Sequence, residues 1–274
     1  MNCALLGVVL MSLALPAMAG AAAGPVNMSP SGPARSGGGR TNGLEVAAGQ
    51  FKTYVLQQTG ASLAAVRMLR ERVVTHDLEG AQRAWLAARA GWERAEIVTS
   101  EYFPELDRAI DAWPDAKHGF HAIEGRLFGA RSTDMADAAE ELLKNLAELE
   151  RQLRDTTLTA QHLLNGTVRL AYEIGEDKAG GGESPFSGNS LAEIGNNVEA
   201  IAAAAEAVFA PFAKPGDAPS RQVAADLHQL QALIHVPDLR ALDQSALRDL
   251  SERLTVDLSE LGRRLGLDRP TLGN

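Results

Sequence analysis

Cysteine is nearly absent: the chain of 274 residues has one, Cys3, ahead of the first apolar run. One thiol closes no disulfide within the chain, and once Cys3 is lost with a cleaved N-terminal segment no thiolate metal site and no cysteine nucleophile are expected either. Nor is there a basic excess, since 26 Lys+Arg against 35 Asp+Glu give a formal net charge of −9. Nothing in that balance attracts a nucleic-acid backbone, so nucleic acid is not an expected partner. Aromatic residues make up only 5% of the chain, while Ala, Leu, Glu and Arg are plentiful, the composition of helices that pack through small and aliphatic side chains. Proline is missing between Pro33 and Pro104 and again between Pro114 and Pro185, which leaves room for long helices. The motifs HExxH, GxSxG, the P-loop and a GxGxxG between strand and helix are also missing, and most enzyme classes lose weight with them.

What is present begins with MNCALLGVVLMSLALPAMAG, an apolar run too short for a membrane span and ending in the small-x-small signal Ala17-Met18-Ala19. This predicts a signal peptide over residues 1–19, cleavage that removes Cys3, and export from the cytoplasm. Gly, Pro, Ala and Ser then dominate residues 20–43, the composition of a flexible tether. From Leu44 the chain shows no strand-like alternation. Helices are predicted over about Leu44–His76, from an Asp77 N-cap to Tyr102, over His118–Phe128, from near Thr133, over Leu158–Lys178 and over Ser190–Phe209. Two further helices carry Val223, Leu227, Leu230 and Ile234, then Leu247, Leu250, Leu254, Leu258, Leu261 and Leu265. The stretch between Phe103 and Lys117 reads as irregular, bounded by Pro104 and Pro114. About eight such helices suit an all-α fold of two antiparallel four-helix bundles, a helical domain over residues 44–274.

The chemistry concentrates in KHGFHAIEGRLFG, where His121 and Glu124 stand at i, i+3 on one helix face and His118 is a weaker third member. One helix upstream, WERAE offers Glu93 and Glu96 at the same spacing, and the intervening segment carries Asp107 and Asp111. Two such pairs facing each other inside a bundle, closed by a carboxylate from the connection, would make a carboxylate metal site. Each pair alone also fits an ordinary solvated helix face. One imidazole with several carboxylates suits iron, zinc or manganese and is poorly suited to monovalent copper. His76, His162, His228 and His235 lie singly and read as ordinary histidines, and the tryptophans read as core or site wall.

The order WERAEIVTSEYFPELDRAID, GFHAIE, LLNGTVRLAYEIGEDKAGGGE and SLAEIGNNVEAI resembles the imelysin-like family, and within it the EfeO/EfeM branch of periplasmic iron-uptake proteins. The resemblance implies a double four-helix bundle that binds iron, ferric or ferrous, through His121 and Glu124, with zinc or copper as alternative ions. It implies that Glu93, Glu96 and Asp107 join that site, that Glu173 and Glu183 are second-site candidates, and that this is a short form without a cupredoxin domain. An inner-membrane iron permease and a haem peroxidase are the implied partners. A metallopeptidase and a binder of alginate or another acidic polysaccharide are the alternative functions that it carries.

Overall fold

The structure, a computed structural model, describes residues 37–111 and 117–271. The expected signal peptide, the expected tether up to residue 36, and Trp113 and Pro114 lie outside the described residues. Nine α-helices and no strand occur among those described: α1 Gly37–Val74, α2 Leu78–Tyr102, α3 Pro104–Asp111, α4 Gly119–Glu124, α5 Ala136–Asp155, α6 Ala160–Glu173, α7 Ser190–Ala204, α8 Ala218–Leu233 and α9 Gln244–Leu265. Helices α4, α6 and α7 each run on into a single π-helical turn, over Gly125–Gly129, Ile174–Lys178 and Ala205–Phe209.

Local chemistry accounts for most of these limits. Asp77 caps α2, its carboxylate accepting from the Gly80 N–H at 2.9 Å. Asp217 and Asp243 do the same for α8 and α9, and α9 ends on Gly266 in the left-handed region. The leucine stripe of α5, at 142, 146, 149 and 153, is buried throughout, as are all six stripe leucines of α9. Two expectations need correction. The segment after Phe103 is partly helical, because Pro104 is tolerated in a first turn and Glu105 and Asp107 complement the N-terminal dipole of α3. Helix α1 starts at Gly37, roughly two turns before Leu44. There the ring of Phe212 sits so close to Gly43 that a Cβ would lie 2.5 Å from it, and tertiary packing outweighs the poor helix propensity of a Gly-rich run.

Helices α1, α2 and α5 pack together with the short α3 and α4, while α6, α7, α8 and α9 form a second group. Helix α2 also packs on α6 and α7 and so belongs to both. Its approach to α6 is a backbone contact: a Cβ on Gly166 would fall 1.8 Å from the carbonyl oxygen of Ile97. The polar residues described next line this seam.

Candidate metal centre

Helix α2 presents Arg89, Glu93 and Glu96 at i, i+4, i+7, one face of a helix, and all three are buried there. Arg89 is fully enclosed. Its guanidinium pairs with Glu93 and Asp111, donates from Nε to Glu193 of α7 at 2.9 Å, and lies 5.3 Å from the ring centroid of Phe120. Such a site is tenable because each guanidinium nitrogen stands within ion-pair distance of a carboxylate, for an unpaired buried charge would cost several kcal/mol. Burial alone would lower the pKa of Arg89, but Glu193, Glu93, Asp111 and Glu183 together raise it well above its ordinary value.

The other side of the cluster is set by α3 and α4. Gly119 has φ +63°, and a Cβ there would stand 2.2 Å from the carbonyl oxygen of Ile110. Only glycine lets α4 start so close to the end of α3. Trp85 fixes the same junction from α2, its indole N–H donating to the Phe120 carbonyl at 3.0 Å. The result puts His121 Nε2 3.5 Å from Asp111 Oδ1 and its Nδ1 3.9 Å from Glu124 Oε2. Burial lowers the imidazole pKa, but Asp111 and Glu124 outweigh it and push the value up to about 9. Asp111 is buried too, yet Arg89 and His121 hold it far below the usual carboxylate range.

The third contribution comes from the end of α6. Lys178 closes the π turn and is buried, with Nζ 2.7 Å from Glu93, 3.2 Å from Glu183 and 3.5 Å from Glu96. In an uninterrupted α-helix Lys178 would point about 140° away from Glu173. The i→i+5 turn returns it to the same side, toward the acids. The following loop supplies Glu183, and Ser184 donates to Glu193 at 2.7 Å. Burial and the neighbouring Glu93 and Asp111 push Glu183 up to about 7, against the pull of Lys178 and Arg89. Burial raises Glu96 well above its ordinary value despite Lys178, with Glu93 and Glu173 adding to the rise. Asn197 of α7 completes the lining, its amide 3.0 Å from Glu93 Oε2.

Among the described residues, the ligand atoms that come within 4.8 Å of one another belong to Asp111, His121 and Glu183. Of the residues expected as ligands from the sequence, His121 belongs to this group, beside Asp111 of α3. The remaining expected ligands have other partners here. Glu124 accepts at Oε1 from the N–H groups of Phe186 (3.2 Å) and Ser187 (2.8 Å) and from the Ser187 hydroxyl (2.7 Å). Glu93 and Glu96 face Lys178. Asp107 accepts from the Thr99 hydroxyl, and burial, more than that bond offsets, pushes it up to about 6. Glu173 pairs with Arg169 at 2.6 Å. Arg89, Lys178, Glu193 and Asn197 were not singled out by the sequence. Arg89 had a signal: it stands four residues after Trp85 and three before Trp92, on the face that those two buried rings occupy.

The family model described as Peptidase_M75, imelysin, matches residues 51–118 and 116–265. Among curated proteins, the chain is 25% identical over 240 residues to "Iron uptake system component EfeO" of Yersinia pseudotuberculosis, covering 80% of this chain and 64% of that one. It is 26% identical over 241 residues to "Iron uptake system component EfeM" of Bacillus subtilis, covering 82% and 62%. A 167-residue match at 29% identity, covering 57% of this chain and 58% of the other, is to an "Efem/EfeO family lipoprotein" of Staphylococcus aureus. The chain thus spans less than two thirds of the length of these relatives. Among solved structures, that of an iron-regulated protein A precursor from Parabacteroides distasonis shares the fold, with a TM-score of 0.65 at 15% identity over 82% of this chain and 95% of that one. With a family model matched along most of its helical region, the chain belongs to the imelysin family.

Proposed function

We propose that the protein captures iron outside the cytoplasm for an uptake system and hands it to a membrane permease. The observation that carries this reading is the buried group of Asp111, His121 and Glu183. With Asp111 and Glu183, the carboxylates Glu93, Glu96, Glu124 and Glu193 outnumber Arg89, Lys178 and the imidazole of His121 by six to three, so a multivalent cation that replaces protons on these groups is readily matched by negative charge. One imidazole and several carboxylates suit iron, with zinc as a competitor and monovalent copper poorly suited. The names of the EfeO and EfeM relatives agree with that choice. His121 binds as neutral imidazole and the carboxylates bind as anions, so protons compete with the ion and affinity falls as the medium turns acid. Glu124 serves first to hold the loop that carries Glu183. With Glu93 and Glu96 it can join the ion only when its present partners give way, and Asp107 supports α3 from outside the group. The N-terminal segment acts as a signal peptide and tether, and a haem peroxidase would supply any redox step.

The test is calorimetry with ferric, ferrous and zinc ions on the wild type beside His121→Ala and Glu183→Gln. Tight binding lost in His121→Ala with helical content intact is the expected result. Equal affinity in both proteins would sink the assignment. A hydrolytic role for the same residues is less well supported, because a catalytic metal site needs an open position and a free base. Here the cluster is buried and Glu124 Oε1 already accepts three hydrogen bonds. Cleavage of a peptide pool by the zinc-loaded protein would reverse that judgement.

A further inference from the structure

Lys178 is a fully enclosed ammonium that the capture chemistry does not use. Its three carboxylate partners, Glu93, Glu96 and Glu183, lie at 2.7, 3.5 and 3.2 Å. One of them, Glu183, is also a member of the group around His121. The same carboxylate is therefore shared between a resident cation and the candidate ion position. Resting on the capture reading, we infer that Lys178 is a built-in competitor of the metal: its ammonium neutralises the carboxylates in the empty protein and is displaced from Glu183 when a multivalent cation enters.

The physical reason is Coulombic. An ammonium a few ångströms from an incoming cation, in surroundings of low dielectric, opposes it far more strongly than a surface lysine would. Without a counter-charge, however, the packed acids would repel one another and burial would be costly. A lysine meets both needs, because its charge sits on a flexible four-carbon stem that can swing away from an oxygen without unfolding a helix. The stem starts at the last residue of a π turn, next to the glycine run Gly180–Gly182. Arg89 is the contrasting case. Its planar group is held by Glu93, Asp111 and Glu193 at once, and it stays put. Loading is thus an exchange of one cation for another, and the returning ammonium assists release, which suits a protein that must give its cargo up.

The experiment measures ferric iron, supplied as its citrate complex, and zinc, as a redox-inert comparator, on purified wild type, Lys178→Gln and Lys178→Arg. Lys178→Gln should bind both ions at least about tenfold tighter and lose them more slowly to a chelator, while Lys178→Arg, which keeps the charge, should not tighten. Affinity in Lys178→Gln equal to or below that of wild type, with an unchanged melting temperature, overturns the inference. A wild type that binds neither ion overturns the capture reading itself. Should Lys178→Gln fail to fold, wild type alone decides. Amine acetylation followed by peptide mapping should find Lys178 modified faster in the loaded protein than in the empty one, since it has given up one of its three carboxylates, and equal rates in both states overturn the inference.

Discussion

Single residues in this chain act through what they leave unpaired. Replacing Arg89 by Met strands Glu93, Asp111 and Glu193 in a closed space, and the expected loss is about 3–5 kcal/mol, read as a lower urea midpoint with an unchanged slope. A variant within 1 kcal/mol of wild type, roughly the cost of losing an exposed ion pair, would mean that the acids find other partners. A second residue effect lies away from the seam. Asp226 of α8 is fully buried and accepts from Arg253 at 3.0 Å and Gln222 at 3.2 Å. Burial and the nearby Asp226 raise the carboxyl of Asp257 on α9 from 3.8 to about 6, against Arg253. A raised folded value means a proton taken up on folding, so this stabilisation is complete below about pH 4 and fades as pH rises through 6. Wild type should therefore lose stability relative to Asp257→Asn between those limits, and a constant difference between the two would contradict the pairing. His121 is legible in the sequence because it stands three residues before Glu124 on one helix face, within the GFHAIE string that carries the family resemblance. Lys178 is hidden because its direction depends on a π turn that helical periodicity does not anticipate.

At the level of elements, composition and proline spacing disclose most of the helices, and the buried stripes of α5 and α9 fall where leucine spacing predicts. Helix α3 escapes because its flanking prolines look like breakers, although one of them opens a helix. The early start of α1 escapes because a glycine run is a poor helix former until Phe212 covers it. Contact between α2 and α6 is equally invisible, since it depends on the missing side chain of Gly166. Gly166→Ala forces the two backbones apart and should cost about 1–3 kcal/mol or more. If the proposed capture holds, it should also weaken metal binding, because Glu183 follows α6 while Asp111 and the start of α4 are tied to α2 through Arg89 and Trp85. A variant with wild-type melting and affinity would show that the seam tolerates widening.

As a whole molecule, the described residues form a pair of helical groups joined chiefly through α2, with α1 adding contacts to α6 and to the turns that follow α7. Because α2 packs in both, neither group retains its core when the other unfolds. Heat and denaturant should give a single transition, with tryptophan fluorescence and far-ultraviolet circular dichroism superimposing. Two separated transitions would show that the groups fold independently. The candidate site lies on the seam, with Asp111 and His121 from the first group and Glu183 from the loop between α6 and α7 of the second. An ion held there is a rivet through two plates. It would close the local openings through which proteases reach a helical chain, so the cellular lifetime of the protein would itself report how much cargo it carries.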